Sequence, residues 1–172
     1  MKNTKLITML CLGALIACSP SKKGLEPTSE QVSPRERLIE NLRATPQKGI
    51  MFGHHDDTVY GIGWEFDEGG SDVQKVCGDY PAVISFDLGE IELGGDKSLD
   101  KVPFEKIRKE IINQYNRGGL VSLSWHPRNP KTGGDAWDVS DHAVVKSILP
   151  EGENYEKFQS WLGKVNDFIL SL

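Results

Sequence analysis

The chain has 172 residues, 38% hydrophobic and 26% charged, which are ordinary proportions for a globular protein. The formal net charge is -5 and no cluster of lysine and arginine stands out, so the counterion-release footprint of a nucleic-acid binder is missing. The cysteines are Cys11, Cys18 and Cys77; they leave no disulfide pair in the body, and Cys77 is expected as a small core hydrophobe.

Residues 1–18 read as an export signal: Lys2 and Lys5 precede an apolar run from Leu6 to Ala17 that is too short for a stable membrane span. The ending Leu15-Ile16-Ala17-Cys18 resembles a bacterial lipobox, which makes Cys18 the lipidated residue. A plain secretory signal with a chance cysteine is the alternative. Residues 19–32, rich in Ser, Pro, Lys and Glu, read as a flexible tether. The expectation is a protein anchored in the bacterial cell envelope through Cys18, on the surface or periplasmic face of the outer membrane.

A helix starts at Ser33-Pro34-Arg35-Glu36, where a capping serine, a proline at the first helical position and a glutamate three residues on coincide. Leu38, Ile39 and Leu42 form its apolar stripe. Gly49 to Gly53 is the first predicted strand, followed by the polar run His54-His55-Asp56-Asp57. Ser71 caps a short helix to Val76 that ends at Gly78. Pro81 to Phe86 is the second strand, delivering Asp87, Glu90 and Glu92 into a loop. Phe104, Ile107, Ile111 and Tyr115 recur at helical spacing from Pro103, and Arg117 with Gly118 closes that helix. Leu120 to Trp125 is the third strand, and Pro127 stops it. Phe158, Trp161, Leu162, Val165, Phe168 and Ile169 give a final amphipathic helix.

Strands alternating with amphipathic helices predict parallel βαβ units. All three strands run at their C-terminal ends into polar groups, and three such loops on one sheet edge mark a pocket floor. A body of this length falls short of a closed eight-stranded barrel, which takes about 250 residues. An incomplete α/β architecture is therefore expected.

Among the candidate groups, His126 stands foremost, because Asn129, a Gly133-Gly134 turn and Trp137 follow it in one loop. An imidazole, an amide and an indole suit sugar binding: the indole face stacks on a pyranose while the polar groups take hydroxyls. Trp137 as a core plug under the loop is the alternative. His54-His55-Asp56-Asp57 mixes metal-ligand types, but neighbours at a strand end point to opposite sides, so at most two face one ion. A structural or substrate-contacting role is expected for His54, and turn capping for Asp56 and Asp57. Asp87 is expected to line the pocket, and Glu90 and Glu92 to lie in a solvated or capping loop. No metal or cofactor is expected.

The blocks GIMFGHHDDTVYGIGW, DYPAVISFDLGEIE and GGLVSLSWHPRNPKTGGDAWD, in this order and spacing, resemble the N-terminal half of glycoside hydrolase family 26, most of all Bacteroidota β-1,4-mannanases. That resemblance implies that residues 33–172 are the first three β/α units of a (β/α)8 TIM barrel. It also implies endo-acting, retaining hydrolysis of β-1,4-mannosidic bonds in mannan, galactomannan or glucomannan by two glutamates. Those glutamates belong to the ends of strands 4 and 7, beyond this sequence, so no catalytic residue is assigned and these 172 residues alone are expected to be inactive. His126 is similar to the family's histidine beside the catalytic centre, Trp137 resembles a sugar platform, and His54 matches a Gly-His motif after strand 1. A non-catalytic glycan-binding lipoprotein, or a metal-dependent polysaccharide deacetylase using His54, His55 and Asp56, are the competing functions.

Overall fold

The computed structural model describes residues 32–172, so the export signal, Cys18 and nearly all of the tether lie outside the described residues. The described residues fall into two compact units that divide between Arg43 and Ala44, each taken by itself below.

The first unit holds most of helix α1, Pro34–Ala44. Its start is the expected capping box. The Glu36 backbone N–H donates to Ser33 Oγ at 3.2 Å, and Ser33 N–H donates back to Glu36 Oε2 at 2.9 Å. These bonds hold the Glu36 carboxyl below its ordinary pKa, the Ser33 side chain contributing most.

The second unit is built on a parallel sheet of β1 (Gly53–His55), β4 (Val83–Asp87) and β5 (Leu120–Ser124), in the order β1-β4-β5. A small antiparallel pair, β2 (Tyr60–Gly61) and β3 (Trp64–Glu65), sits in the first crossover with α2 (Asp72–Cys77). The second crossover is α3 (Phe104–Asn116). After β5 come α4 (Val144–Ser147) and α5 (Tyr155–Leu170).

The first strand begins where the sequence places its end. Pro81 has no N–H and its carbonyl is taken by Gln114 Nε2 at 3.0 Å, while the Ala82 carbonyl accepts from Leu120. The ladder to β1 therefore starts only with Val83, opposite Gly53, where a Cβ would lie 3.3 Å from Val83 Cβ. His54 and His55 consequently belong to the strand and not to the loop after it.

Register separates the two faces of the sheet. Ile84 pairs with Val121 and Phe86 with Leu123 on one face. That face packs on Phe104, Ile107 and Ile111 of α3 and joins Val59, Leu88, Ile91, Val102 and Phe168 in one core. Phe104 and Phe168 meet edge to face with centroids 6.1 Å apart. The other face carries Val83, Ser85, Asp87, Leu120, Ser122 and Ser124, apolar at the N-terminal end and polar at the C-terminal end.

Helix ends follow their sequence signals. Ser71 Oγ accepts from Gln74 N–H, and Gly78 and Gly118 take the left-handed conformation at φ 81° and 80°. Two positions depart from expectation. Tyr115 is exposed, and the buried place on α3 goes to Gln114, whose amide closes the carbonyls of Pro81 and Ala82. Cys77 is exposed at the end of α2 and not in the core.

Candidate sugar-binding site

Asp87 ends β4 and pairs with Ser124 at the end of β5, so both strands finish at the same level of the sheet. Leu88, Ile91 and Val102 anchor the chain beyond β4 to the core, and Trp125 stacks on Phe158 of α5 with centroids 5.8 Å apart. His126 thus emerges at the rim directly beside Asp87. Its Nδ1 lies 2.5 Å from Asp87 Oδ2.

The carboxylate is buried and fully bonded. Ser124 Oγ donates to Oδ2 and the Gly89 N–H to Oδ1, both at 2.6 Å. Burial alone would raise the Asp87 pKa, but bonds from Ser124, Gly89 and His126 together outweigh it and hold the group below its ordinary value. Glycine at 89 is required by this closeness, since a Cβ there would lie 2.6 Å from Asp87 Oδ1.

Trp137 covers one face of His126, the rings 5.5 Å apart and 13° from parallel. The indole is 64% exposed, so it is no core plug and keeps its other face open. An Asx turn presents it: the Trp137 N–H donates to Asp135 Oδ1 at 2.9 Å. Asp138 continues the turn, accepting from the Ser140 N–H at 2.9 Å and from the Thr132 hydroxyl, bonds that lower its pKa.

Two expectations about this loop are corrected. Asn129 does not offer its amide to a ligand. Its Oδ1 accepts from the N–H groups of Lys131 and Thr132 at 3.0 and 3.1 Å, and its Nδ2 donates to the Asp138 carbonyl at 3.1 Å. Glu92 is not solvated: it is 1% exposed and clamps the loop from both sides of His126. Its Oε2 accepts from Trp125 Nε1 at 2.9 Å and its Oε1 from the Arg128 N–H at 2.7 Å. Glu90, in the left-handed region at φ 68°, pairs instead with Arg128 Nε at 3.0 Å. A cleft of about 330 Å³ opens against Trp125, His126, Arg128, Asn129, Asp138 and Phe158.

His54 is not gathered with these residues. It pairs with Ile84, which places it on the opposite face from Asp87, and its Nδ1 lies 2.8 Å from the His55 carbonyl. His55, paired with Ser85, is the histidine on the Asp87 face. Its Nε2 lies 3.1 Å from Asp56 Oδ2. Asp57 caps α2 from a distance in sequence, accepting from the Ser71 hydroxyl and from the Val73 N–H at 3.2 Å. Asp56 is buried with Oδ1 unpaired, and its pKa rises to about 6, chiefly through burial, with Asp100 and Asp87 adding and His55 opposing. Among the described residues, no group of three or more His, Cys, Asp or Glu side chains is gathered to hold an ion.

The family model of glycosyl hydrolase family 26 matches residues 27–172. A mannan endo-1,4-beta-mannosidase of Bifidobacterium adolescentis is 30% identical over 132 residues, covering 74% of this chain and 13% of that protein. The structure of a family 26 beta-mannanase from Bacteroides ovatus is 63% identical with a TM-score of 0.77, over 78% of this chain and 39% of its own. An endo-beta-1,4-mannanase from Cellulomonas fimi, solved as a double mutant, is 28% identical with a TM-score of 0.60, over 70% of this chain and 28% of its own. The chain thus spans well under half the length of these relatives.

Proposed function

The chain belongs to glycosyl hydrolase family 26, and from that premise we propose that it forms one wall of the cleft of an endo-acting β-1,4-mannanase. Its parallel strands and helices are the first three β/α units of a (β/α)8 barrel, incomplete within this chain. The observation that carries the reading is the rim assembly of Asp87, His126 and Trp137 at the C-terminal edge of the sheet. That edge is where such barrels bind substrate.

In this reading a pyranose of the β-mannan backbone stacks on the open face of Trp137, and His126 Nε2 meets one of its hydroxyls. An indole presents a wide apolar surface with little rotamer freedom to lose, which suits the C–H face of a sugar. The groups on the chain position substrate and exclude water from one side. Bond cleavage is assigned to the pair of glutamates of the retaining mechanism, in which a carboxylate attacks the anomeric carbon while an acid protonates the leaving oxygen. By resemblance those glutamates lie on strands 4 and 7, so we propose that these 172 residues alone bind without turnover. His54 is assigned a structural role at the strand edge, in keeping with its place away from Asp87.

The same proposal covers placement in the cell. Residues 1–18 act as a lipoprotein signal, Cys18 carries the lipid, residues 19–32 tether, and residues 33–172 begin the catalytic barrel; what supports this is the basic, apolar and small-residue pattern ending at Cys18. The protein then meets polysaccharide at the cell envelope.

The test is β-mannan hydrolysis by protein in which these residues sit within a complete barrel. Viscosity that falls faster than reducing ends appear supports an endo-mannanase, with His126→Ala lowering kcat/KM. Mannan binding with no release of reducing ends overturns the reading in favour of a non-catalytic glycan binder. Zinc that co-purifies and is needed for activity overturns it in favour of a deacetylase.

A further inference from the structure

We infer that Asp87 is a positioning residue that holds His126 in the Nδ1–H tautomer, so that Nε2 meets the sugar as a hydrogen-bond acceptor. This rests on the reading of His126 as a sugar-contacting residue.

Three groups, Gly89, Ser124 and His126, converge on the Asp87 carboxylate. Asp87 is 2% exposed, and its Oδ1 takes the Gly89 N–H while Oδ2 takes the Ser124 hydroxyl. An ionised carboxylate only accepts hydrogen bonds. The third contact, 2.5 Å to His126 Nδ1, is therefore a bond in which the imidazole donates. The bonds that hold the Asp87 pKa down keep the group ionised across the neutral range, so the proton sits on Nδ1 and not on the carboxylate.

The ring is also held in place by its neighbours. One face lies against Trp137, nearly parallel, which blocks rotation of the ring about its long axis. The backbone on either side is fixed by Glu92, through the Trp125 indole and the Arg128 N–H. A neutral imidazole with its proton on Nδ1 carries a lone pair on Nε2. The sugar hydroxyl that meets it must donate, leaving its own lone pairs for another group of the cleft. Asp87 thereby sets the polarity of the contact without touching substrate, as outer carboxylates set the tautomer of histidines elsewhere.

The experiment uses the full chain at about pH 8, above the ordinary histidine value. Nitrogen-15 chemical shifts of His126 report the tautomer directly, and isothermal titration with mannohexaose reports affinity. The unsubstituted chain is expected to show a protonated Nδ1. In Asp87→Asn, oxygen stays with the Gly89 N–H and the amide nitrogen faces Nδ1, so the ring must move its proton to Nε2. Mannohexaose affinity then falls about ten- to a hundredfold, the scale of one lost bond with a donor left facing a donor. A protonated Nε2 in the unsubstituted chain overturns the inference without need of any variant. So does Asp87→Asn binding within about twofold while His126→Ala loses binding, and that result leaves the proposed function standing. Unchanged binding in His126→Ala removes the reading on which the inference depends.

Discussion

Glu92 is the group whose removal best probes how the rim loop is held. Its two oxygens each take one donor, Trp125 Nε1 at 2.9 Å and the Arg128 N–H at 2.7 Å, in a site closed to water. Glu92→Gln keeps one acceptor and turns an N–H toward a donor. A bond to a charged group contributes about 1.5–3 kcal/mol, and a buried donor left unpaired costs about 1–3 kcal/mol. The substitution should therefore cost about 2–4 kcal/mol. For a chain of this size that is a fall in Tm of about 4–16 °C, at about 2–4 °C per kcal/mol. Trp125→Phe removes the indole donor while keeping the stack on Phe158, and should cost about 1–3 kcal/mol. In the double variant the new amide no longer faces a donor, so the combined cost should be smaller than the sum by about 1–2 kcal/mol. Urea unfolding followed by circular dichroism measures all four corners of the cycle. Costs that add within about 0.5 kcal/mol would refute the clamp, because the two groups would then not share a bond.

Further outcomes follow from other residues. Trp137→Ala should weaken mannohexaose binding about tenfold, the loss of one stacking surface, with Tm nearly unchanged because the indole is 64% exposed; titration calorimetry beside a thermal melt checks both. Asp56 has a folded pKa of about 6 against 3.8 ordinarily, so the native state binds more protons between these values and stability falls as pH rises through that window. The full effect is about 3 kcal/mol above that window, and Asp56→Asn should flatten the pH dependence and raise stability at neutral pH by about 1–3 kcal/mol. Asparagine also tolerates the left-handed backbone at 56, where φ is 53°. Cys18→Ser should release the protein from the membrane fraction of expressing cells, and retention in that fraction would contradict lipid anchoring.

Much of the architecture was legible because it is written in local signals. The capping pair Ser33 and Glu36, the N-cap Ser71 and the glycines 78 and 118 each act within four residues, and each appears as read. The strands β4 and β5 are apolar on their core side and end where polar residues begin. The first strand was displaced because its limits depend on Pro81 and Gln114, which are distant in sequence and decide which carbonyls are free. The hairpin of β2 and β3 has two residues in each strand, too few to show alternation.

His126, Trp137 and Asp87 stand out in the sequence as polar and aromatic groups after strands, but their pairings do not. His126 and Asp87 are 39 positions apart, and only the register of β4 against β5 puts them in contact. Equal strand lengths, each ending in a polar residue, were the available hint. Asn129 misled because an amide in a loop looks like a ligand group, while the physics of a tight turn turns it inward to close backbone N–H groups. Glu92 misled in the opposite direction: its charge suggested solvent, yet two buried donors required an acceptor there.

The most direct measurement is a crystal structure of the protein with a manno-oligosaccharide bound. A pyranose is expected to stack on the exposed face of Trp137, with a hydroxyl within about 3 Å of His126 Nε2 and Asp87 still on Nδ1. A sugar ordered elsewhere on the surface, with His126 and Trp137 both uncontacted, would contradict the assignment of this rim as a wall of a mannan cleft.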